Sequence, residues 1–552
     1  MRLTSLNFVL AAAAQVALMS GAPNITGTGT AAQAADMVVP PPLSRPKAAY
    51  YAAHPAEWNA ILANAPTTKT IVPAPPAPKF APVPPGTWST LLHTAPSSGM
   101  SNPLLLTDGS VIVHASCSAN WFKLTPDENG SYIYGTWRTI ANAPWQPLYF
   151  ASQILNDGRV VGNGGEYDGA QNCSTHWITG GGIYNPASNV WINLPPPPGW
   201  TTIGDAQSII LPNTTYMLAD CCSTQQARLN PATLAWTATG SGKFDENDEE
   251  GWALLQDGRV LTVDAYVGTG TCGQGSELYS AFAGAWTAGA AVTTQLSDCL
   301  PGGHGSFEVG PIVVRPSGTA VAFSGATTGP VGTSIFNPAS NTWTAGPSLT
   351  VGGVDYNLAD APAVALTSGN IFYAASAGLF TQPTHFFEFT GANTIVQRAD
   401  PAGFLNNPSY VYNFLLLPTG QVLMTDFSNN IQIYTPFGTF ASVWRPTIAS
   451  SFTSLTRGVV NALSGTQLNG ITHGVYGDDQ QASTNFPLVQ LVNQDTNNVY
   501  YAKTSGFSNR SILRNISSRA NFVLPRTMPV GTYSLKVISN GIPSGSMTVT
   551  VN

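Results

Sequence analysis

The chain has 552 residues, longer than one compact domain usually runs, so two or more domains are expected. Charged residues make up only 9%, while 54 glycines, 43 prolines and an aromatic share of 10% suit a turn-rich β protein and exclude a helical bundle or a disordered chain. The formal charge of −7 gives no electrostatic case for nucleic acid, whose phosphates call for a basic face.

The amino terminus reads as an export signal. Arg2 precedes an apolar stretch from about Leu6 to Met19, shorter than the ~20 residues a membrane span requires. Ala32-Gln33-Ala34 fits a small-x-small cleavage pattern, which assigns 1–34 to a signal peptide, with a retained anchor as the alternative. No other segment approaches a transmembrane span. The mature protein is therefore expected outside the cytoplasm, extracellular or periplasmic. Residues 35–86 hold Pro40-Pro41-Pro42 and further prolines from Pro73 to Pro85, a composition for extended, weakly packed backbone. A short helix near Ala56 to Ala65 interrupts it.

From Trp88 onward one unit recurs. Ile183-Tyr184-Asn185-Pro186-Ala187-Ser188-Asn189-Val190-Trp191 returns as Ile335-Phe336-Asn337-Pro338-Ala339-Ser340-Asn341-Thr342-Trp343. Leu229 to Trp236 is a third copy, and a looser one holds Tyr279 and Trp286. Between the copies lie small polar turns followed by apolar strands. Six contain Gly109, Gly158, Gly258, Gly318, Gly369 or Gly420, and Asn213-Thr214-Thr215 fills the seventh place. A glycine there supplies the positive φ that hairpins need. The spacing of roughly 44 to 60 residues matches kelch-type propeller blades. The recurring Trp is expected to pack between blades, and the strand from Trp88 to Leu92 to complete the last one.

Six cysteines, Cys117, Cys173, Cys221, Cys222, Cys272 and Cys299, fit an oxidising compartment as disulfides. Cys272 with Cys299 is the first pairing to try. Cys221 and Cys222 either close on each other or, as neighbours more often do, take separate partners. No spacing suggests zinc. The run Asp245-Glu246-Asn247-Asp248-Glu249-Glu250 is the sharpest charge concentration; its hard oxygens suit calcium, but it lacks the EF-hand spacing and its glycine, so a solvated loop between blades is the first reading and a calcium site the alternative. By comparison with related bacterial chains, Glu249 or Glu250 would face the central pocket. His114, His176 and His304 are scattered among blade loops, and no Gly-x-Ser-x-Gly elbow or Walker loop supports hydrolase or nucleotide chemistry.

After Pro436 the period stops. Residues 439–552 hold alternating strands, ending in Gly531 to Val537 and Met547 to Val551, at the length of an immunoglobulin-like sandwich. Within it, Leu468-Asn469-Gly470-Ile471-Thr472-His473-Gly474-Val475-Tyr476-Gly477-Asp478-Asp479 and Thr484-Asn485-Phe486-Pro487-Leu488 resemble the early-set domain of the galactose oxidase and glyoxal oxidase superfamily. Asp478 and Asp479 read as turn carboxylates. The resemblance covers about 88–552 and implies an all-β chain: a seven-bladed kelch-type β-propeller over 87–438 and an early-set β-sandwich over 439–552.

In that superfamily copper is held by two histidines, an axial tyrosine and an equatorial tyrosine cross-linked to cysteine. By resemblance, Tyr149 stands at the equatorial tyrosine, Tyr167 at the aromatic over the cross-link, Tyr410 at the axial tyrosine and His473 at one histidine. Val411 stands where the second histidine belongs, and Met100 where the cysteine belongs. Copper affinity of this kind comes from imidazoles, and the cross-link needs the cysteine. The expectation is therefore a monomeric, secreted protein that binds a saccharide or other small extracellular ligand at the propeller axis, without a cofactor. Its alternatives are a copper-dependent oxidase of aldehydes or primary alcohols that releases hydrogen peroxide, and a surface adhesion or display protein.

Overall fold

A computed structural model describes residues 36–552, apart from 74, 77–78, 80–82, 266–274, 299–306, 328–330, 403–406 and 475–482. The signal segment, the Cys272–Cys299 pairing, His304, Asp478 and Asp479 lie outside the described residues.

Each polar turn noted in the sequence joins the first and second strands of a blade. Met100–Leu105 and Val111–Ala115 flank Gly109, and Asn413–Leu416 and Val422–Thr425 flank Gly420. All seven turns carry a residue at positive φ, from Thr214 at 71° to Gly318 at 90°. The copies ending in Trp form the outer hairpin. In each clear copy the Asn side chain accepts the N–H two residues on, with Asn185, Asn230 and Asn337 each at 3.0 Å from Ala187, Ala232 and Ala339. That local bond sets the turn, as Asx residues do. Three of the Trp indoles then reach back to the preceding blade: Trp236 donates to the Pro195 carbonyl, Trp286 to Gln226 and Trp343 to Ser276, while Trp191 only packs, against Trp121 and Trp145. One side chain thus supplies both apolar area and a directed bond between neighbours.

The described residues contain seven four-stranded antiparallel blades, the fifth with a short fifth strand from the carboxy-terminal domain. Inner strands are almost wholly buried, as in Met100–Leu105 and Val309–Val314, because both faces meet adjacent blades. Thr87–Thr90 pairs with Gln432–Thr435, so the last blade takes its outer strand from the start of the ring. This closure removes the open seam, the liability of any sheet edge.

The carboxy-terminal strands form a sandwich whose alternation is clean in Val460–Thr466 and Ser517–Val523, one face buried and one exposed. It docks on the face of the ring that carries the polar turns, and one hydrophobic core runs through both. The Tyr501 ring lies against Gly109, where a Cβ would come within 2.5 Å of it. Arg510 fastens the same interface. It is 1% exposed, donates through Nε to the Asn485 carbonyl at 2.7 Å and through Nη1 to the Ile154 carbonyl of the second blade at 3.1 Å. Phe486 and Phe507 each lie 5.4 Å from its guanidinium.

The first half of the Pro-rich segment is not weakly packed, whereas its described residues from Val72 to Pro85 are exposed or half-buried. Residues 36–71 carry two helices, Arg45–Ala53 and Pro55–Ala63, and lie on the other face of the ring. Val39 to Ser44 are all buried. No helix of the described residues is long and apolar enough to cross a membrane.

Replacing Arg510 by Met keeps the apolar stem but removes two charge-assisted bonds and leaves two buried carbonyls short of a donor. A loss of about 3 kcal/mol is expected in urea unfolding. An unchanged midpoint would show that the interface does not depend on this residue.

Candidate functional site

A left-handed residue precedes the inner strand in six of the seven blades: Gly99, Tyr149, Gly204, Glu249, Phe307 and Asp360, with φ from 48° to 77°. Four of the six are not glycine, and such backbone is costly enough to mark a site worth inspecting. Apart from the first blade, whose next residue Met100 joins the core shared with the sandwich, the bend brings that residue or the next one to the mouth. Blade by blade, the sequence places Glu166, Asp205, Glu249, Glu308 and Asp360 there, joined by Asp248.

The mouth is closed by the amino-terminal segment. Val39 to Pro42 run without helical or sheet hydrogen bonding of their prolines, which leaves main-chain carbonyls free, as polyproline backbone does. The phenols use them. Tyr410 donates to the Val39 carbonyl at 3.3 Å, Tyr149 to that of Pro40 at 2.9 Å and Tyr167 to that of Pro41 at 2.8 Å. The Leu43 N–H donates to Glu166. Ser44 then caps the first helix by accepting the Lys47 N–H, and the turn that follows carries Lys47 into the acidic mouth.

Lys47 is completely buried. Its ammonium pairs with Glu308, with Glu249 at 3.1 Å and with Asp360 at 4.0 Å, and donates to the Pro42 carbonyl at 3.2 Å. Burial opposes its charge, but Glu249, Asp360 and Glu166 outweigh that and hold it above the ordinary lysine range. The acids respond in the opposite sense. Burial, then the charge of Glu249, pushes Asp205 up to about 8, and the same causes push Asp360 up to about 8. Glu166 rises through burial and then Asp205, and Asp248 through burial and then Glu249.

The second half of the acidic run read as a solvated loop is buried, with Asp248, Glu249 and Glu250 at most 3% exposed, while Glu246 is exposed. Two lysines account for the burial. Lys47 receives Glu249, while Lys243 holds Asp245 at 2.7 Å, Glu250 at 3.1 Å and Glu277 at 2.5 Å within the fourth blade. Cys221 and Cys222 bond to each other rather than to separate partners, and the second disulfide joins Cys117 to Cys173. Both bonds border the mouth: Cys117 packs with Tyr149 and Tyr167, and Arg45 reaches the Cys222 carbonyl at 3.4 Å. Two disulfides fit an exported protein.

Tyr149, Tyr167, Tyr410 and Val411 thus share one buried cluster with Val39 and Leu43. Tyr149 and Tyr167 meet edge to face at 6.1 Å. Met100 is fully buried but belongs to the core shared with the sandwich. His473 lies elsewhere. Its strand pairs with Val314, the last residue of an inner strand, and its Nδ1 accepts the Leu254 N–H at 3.4 Å. Tyr149 and Tyr410 precede the starts of inner strands whereas His473 lies beside the end of one, so His473 is about one strand length from them along the axis, roughly 15 Å. Burial, then Arg510, pushes its imidazole down to about 3. His114 is buried against Trp121 and Phe150, and His176 is exposed. Phenols spent on carbonyls, an aliphatic Val411 and a remote histidine are a poor donor set for copper, which favours imidazole.

No protein-family model matches the sequence, and no curated protein is matched by it. Among solved structures, a copper-bound fungal alcohol oxidase of the AA5 family aligns over 83% of this chain and 98% of its own, with 13% identity and a TM-score of 0.47. A virginiamycin B lyase from Staphylococcus aureus aligns over 64% of this chain and 99% of its own, at 10% and 0.44. The extracellular domain of a one-component system from B. thetaiotaomicron aligns over 82% of this chain and 57% of its own, at 10% and 0.40. These scores carry no inference about activity; the propeller and sandwich rest on the strand pairing above.

Asp426, 1% exposed, tests the cost of acids in this ring. Burial pushes it up to about 6 against the Ser428 bonds that favour its charge. Because the folded value exceeds the ordinary 3.8, its contribution is complete below about pH 4 and lost as pH rises through about 6. Asp426→Asn should therefore gain on the wild type between about pH 5 and about pH 8, by on the order of 2 kcal/mol. Urea midpoints that keep a constant difference across that window would contradict it.

Proposed function

We propose that this chain is an extracellular binding protein whose axial mouth is a receptor for a proline-rich peptide bearing a lysine, closed in cis by its own residues 36–71, and that copper radical oxidation is not its activity. The observation that carries this reading is the way Val39, Pro40 and Pro41 are held: three phenols on two blades accept the role of donors to three successive carbonyls, and Lys47 fills the acidic mouth beyond. Aromatic grooves that read proline carbonyls in this manner bind peptides because the polyproline backbone is preformed and loses little entropy. The lysine adds selection by charge, since a neutral or acidic residue would leave the carboxylates without a counterion. A saccharide at the axis would have to displace a segment that already satisfies these donors, so the peptide reading is preferred.

The full-length Lys47→Glu variant places a carboxylate among carboxylates and should unseat the segment. A labelled peptide copying 36–54 is then expected to bind that variant saturably, and not to bind the closed wild type. A folded variant that ignores the peptide would defeat the receptor reading. A glycan array and a copper-dependent peroxide assay on the same two proteins address the saccharide and oxidase alternatives: saturable glycan retention or peroxide release would replace the peptide reading with one of them.

A further inference from the structure

Lys47 does not neutralise the mouth. Glu166, Asp205, Asp248, Glu249, Glu308 and Asp360 supply six carboxyl groups, and its ammonium reaches three of them. Asp205 and Asp248 are outside its reach. They are 3% and 2% exposed, and neither oxygen of either side chain has a hydrogen-bond partner. One oxygen from each converges with one of Glu249, all within 4.8 Å of one another. Glu166, which is not one of these three, is fully buried with its Oε2 also lacking a hydrogen-bond partner, and Asp205 is the strongest charge acting on it.

A buried carboxylate with no donor is among the costlier groups a fold can keep, by several kcal/mol for each ion. Here several face one another from the second, third and fourth blades. Three oxygens within 4.8 Å of one another surround a centre at most about 2.8 Å from each, and a small inward shift of the side chains brings all three to the roughly 2.4 Å of calcium. Magnesium prefers shorter bonds and a regular octahedron, whereas calcium tolerates irregular, bidentate carboxylates. All the candidate ligands are hard oxygens.

We infer that Asp205, Asp248 and Glu249 form a calcium site at the propeller axis, with Glu249 shared between the ion and the ammonium of Lys47. The acidic mouth then has two cationic occupants, one supplied by the chain and one by the medium. A calcium ion bridging the third and fourth blades also fixes Glu249, whose left-handed φ of 56° needs its surroundings to hold it.

The test uses the full chain, stripped with a chelator and desalted, then titrated calorimetrically with calcium chloride and, separately, with magnesium and manganese chlorides. One calcium per chain is expected, with a Kd of about 10⁻⁴ M or tighter, as for extracellular calcium modules, and a raised thermal midpoint. A folded Asp205→Asn/Asp248→Asn variant should bind calcium at least about tenfold more weakly. If that variant does not fold, the wild-type titration decides: no saturable calcium heat and no thermal shift overturn the site. Calcium binding unchanged in the folded variant overturns the ligand assignment, and saturation by magnesium or manganese alone overturns the choice of ion. No peptide is present in this experiment, so its outcome is independent of the receptor reading.

Discussion

A ring of strands that closes on itself leaves a channel down its middle, and that channel must be filled. The two ends are handled differently. At the end of the polar turns, the sandwich inserts His473 beside Val314 and fastens Arg510 to the second blade. At the other end the chain spends charge: an acidic mouth, a buried lysine and a polyproline strand whose carbonyls meet three phenols. The first arrangement holds through apolar burial and a shared core. The second depends on charge balance, so removing one member costs far more than the pair contributes over an apolar substitute.

The architecture was legible in the sequence because it is repeated and local. The polar turns, the Asn-to-Trp hairpins and the strand at Thr87 each announce themselves within about ten residues, and propensity, turn chemistry and burial agree there. The mouth was not legible, because its parts are far apart in the chain. Nothing near Lys47 says that it will meet Glu249, Glu308 and Asp360. Proline composition predicts extended backbone at residues 40–42 correctly, but not what the backbone lies against. By composition alone the run from Asp245 to Glu250 looks solvated until two distant lysines are placed beside it; only the comparison with related chains turns Glu249 or Glu250 toward the central pocket. One signal was present and weak: Glu249 and Asp360 each sit just before an inner strand, at the position where other blades use Gly99 or Gly204.

The cysteines teach the same lesson on a smaller scale. Cys117 and Cys173 are 56 residues apart and become neighbours only when the first two blades are stacked. The tyrosines were singled out through a resemblance whose copper roles need imidazole and thiolate partners. The phenols share one buried cluster, and their hydroxyls are used for peptide carbonyls.

The seating of residues 36–71 also has a consequence for the order of assembly. The contacts of this segment reach from Tyr149 to Tyr410, so its receptor exists only after the seven blades are stacked and Thr87–Thr90 has joined the last of them. The part of the described chain that is made first is therefore the part that comes to rest last. Loop closure over such separations is slow and is paid before any contact rewards it. Until then the newly made protein carries an open, acidic funnel, in which any cationic tail nearby competes with its own.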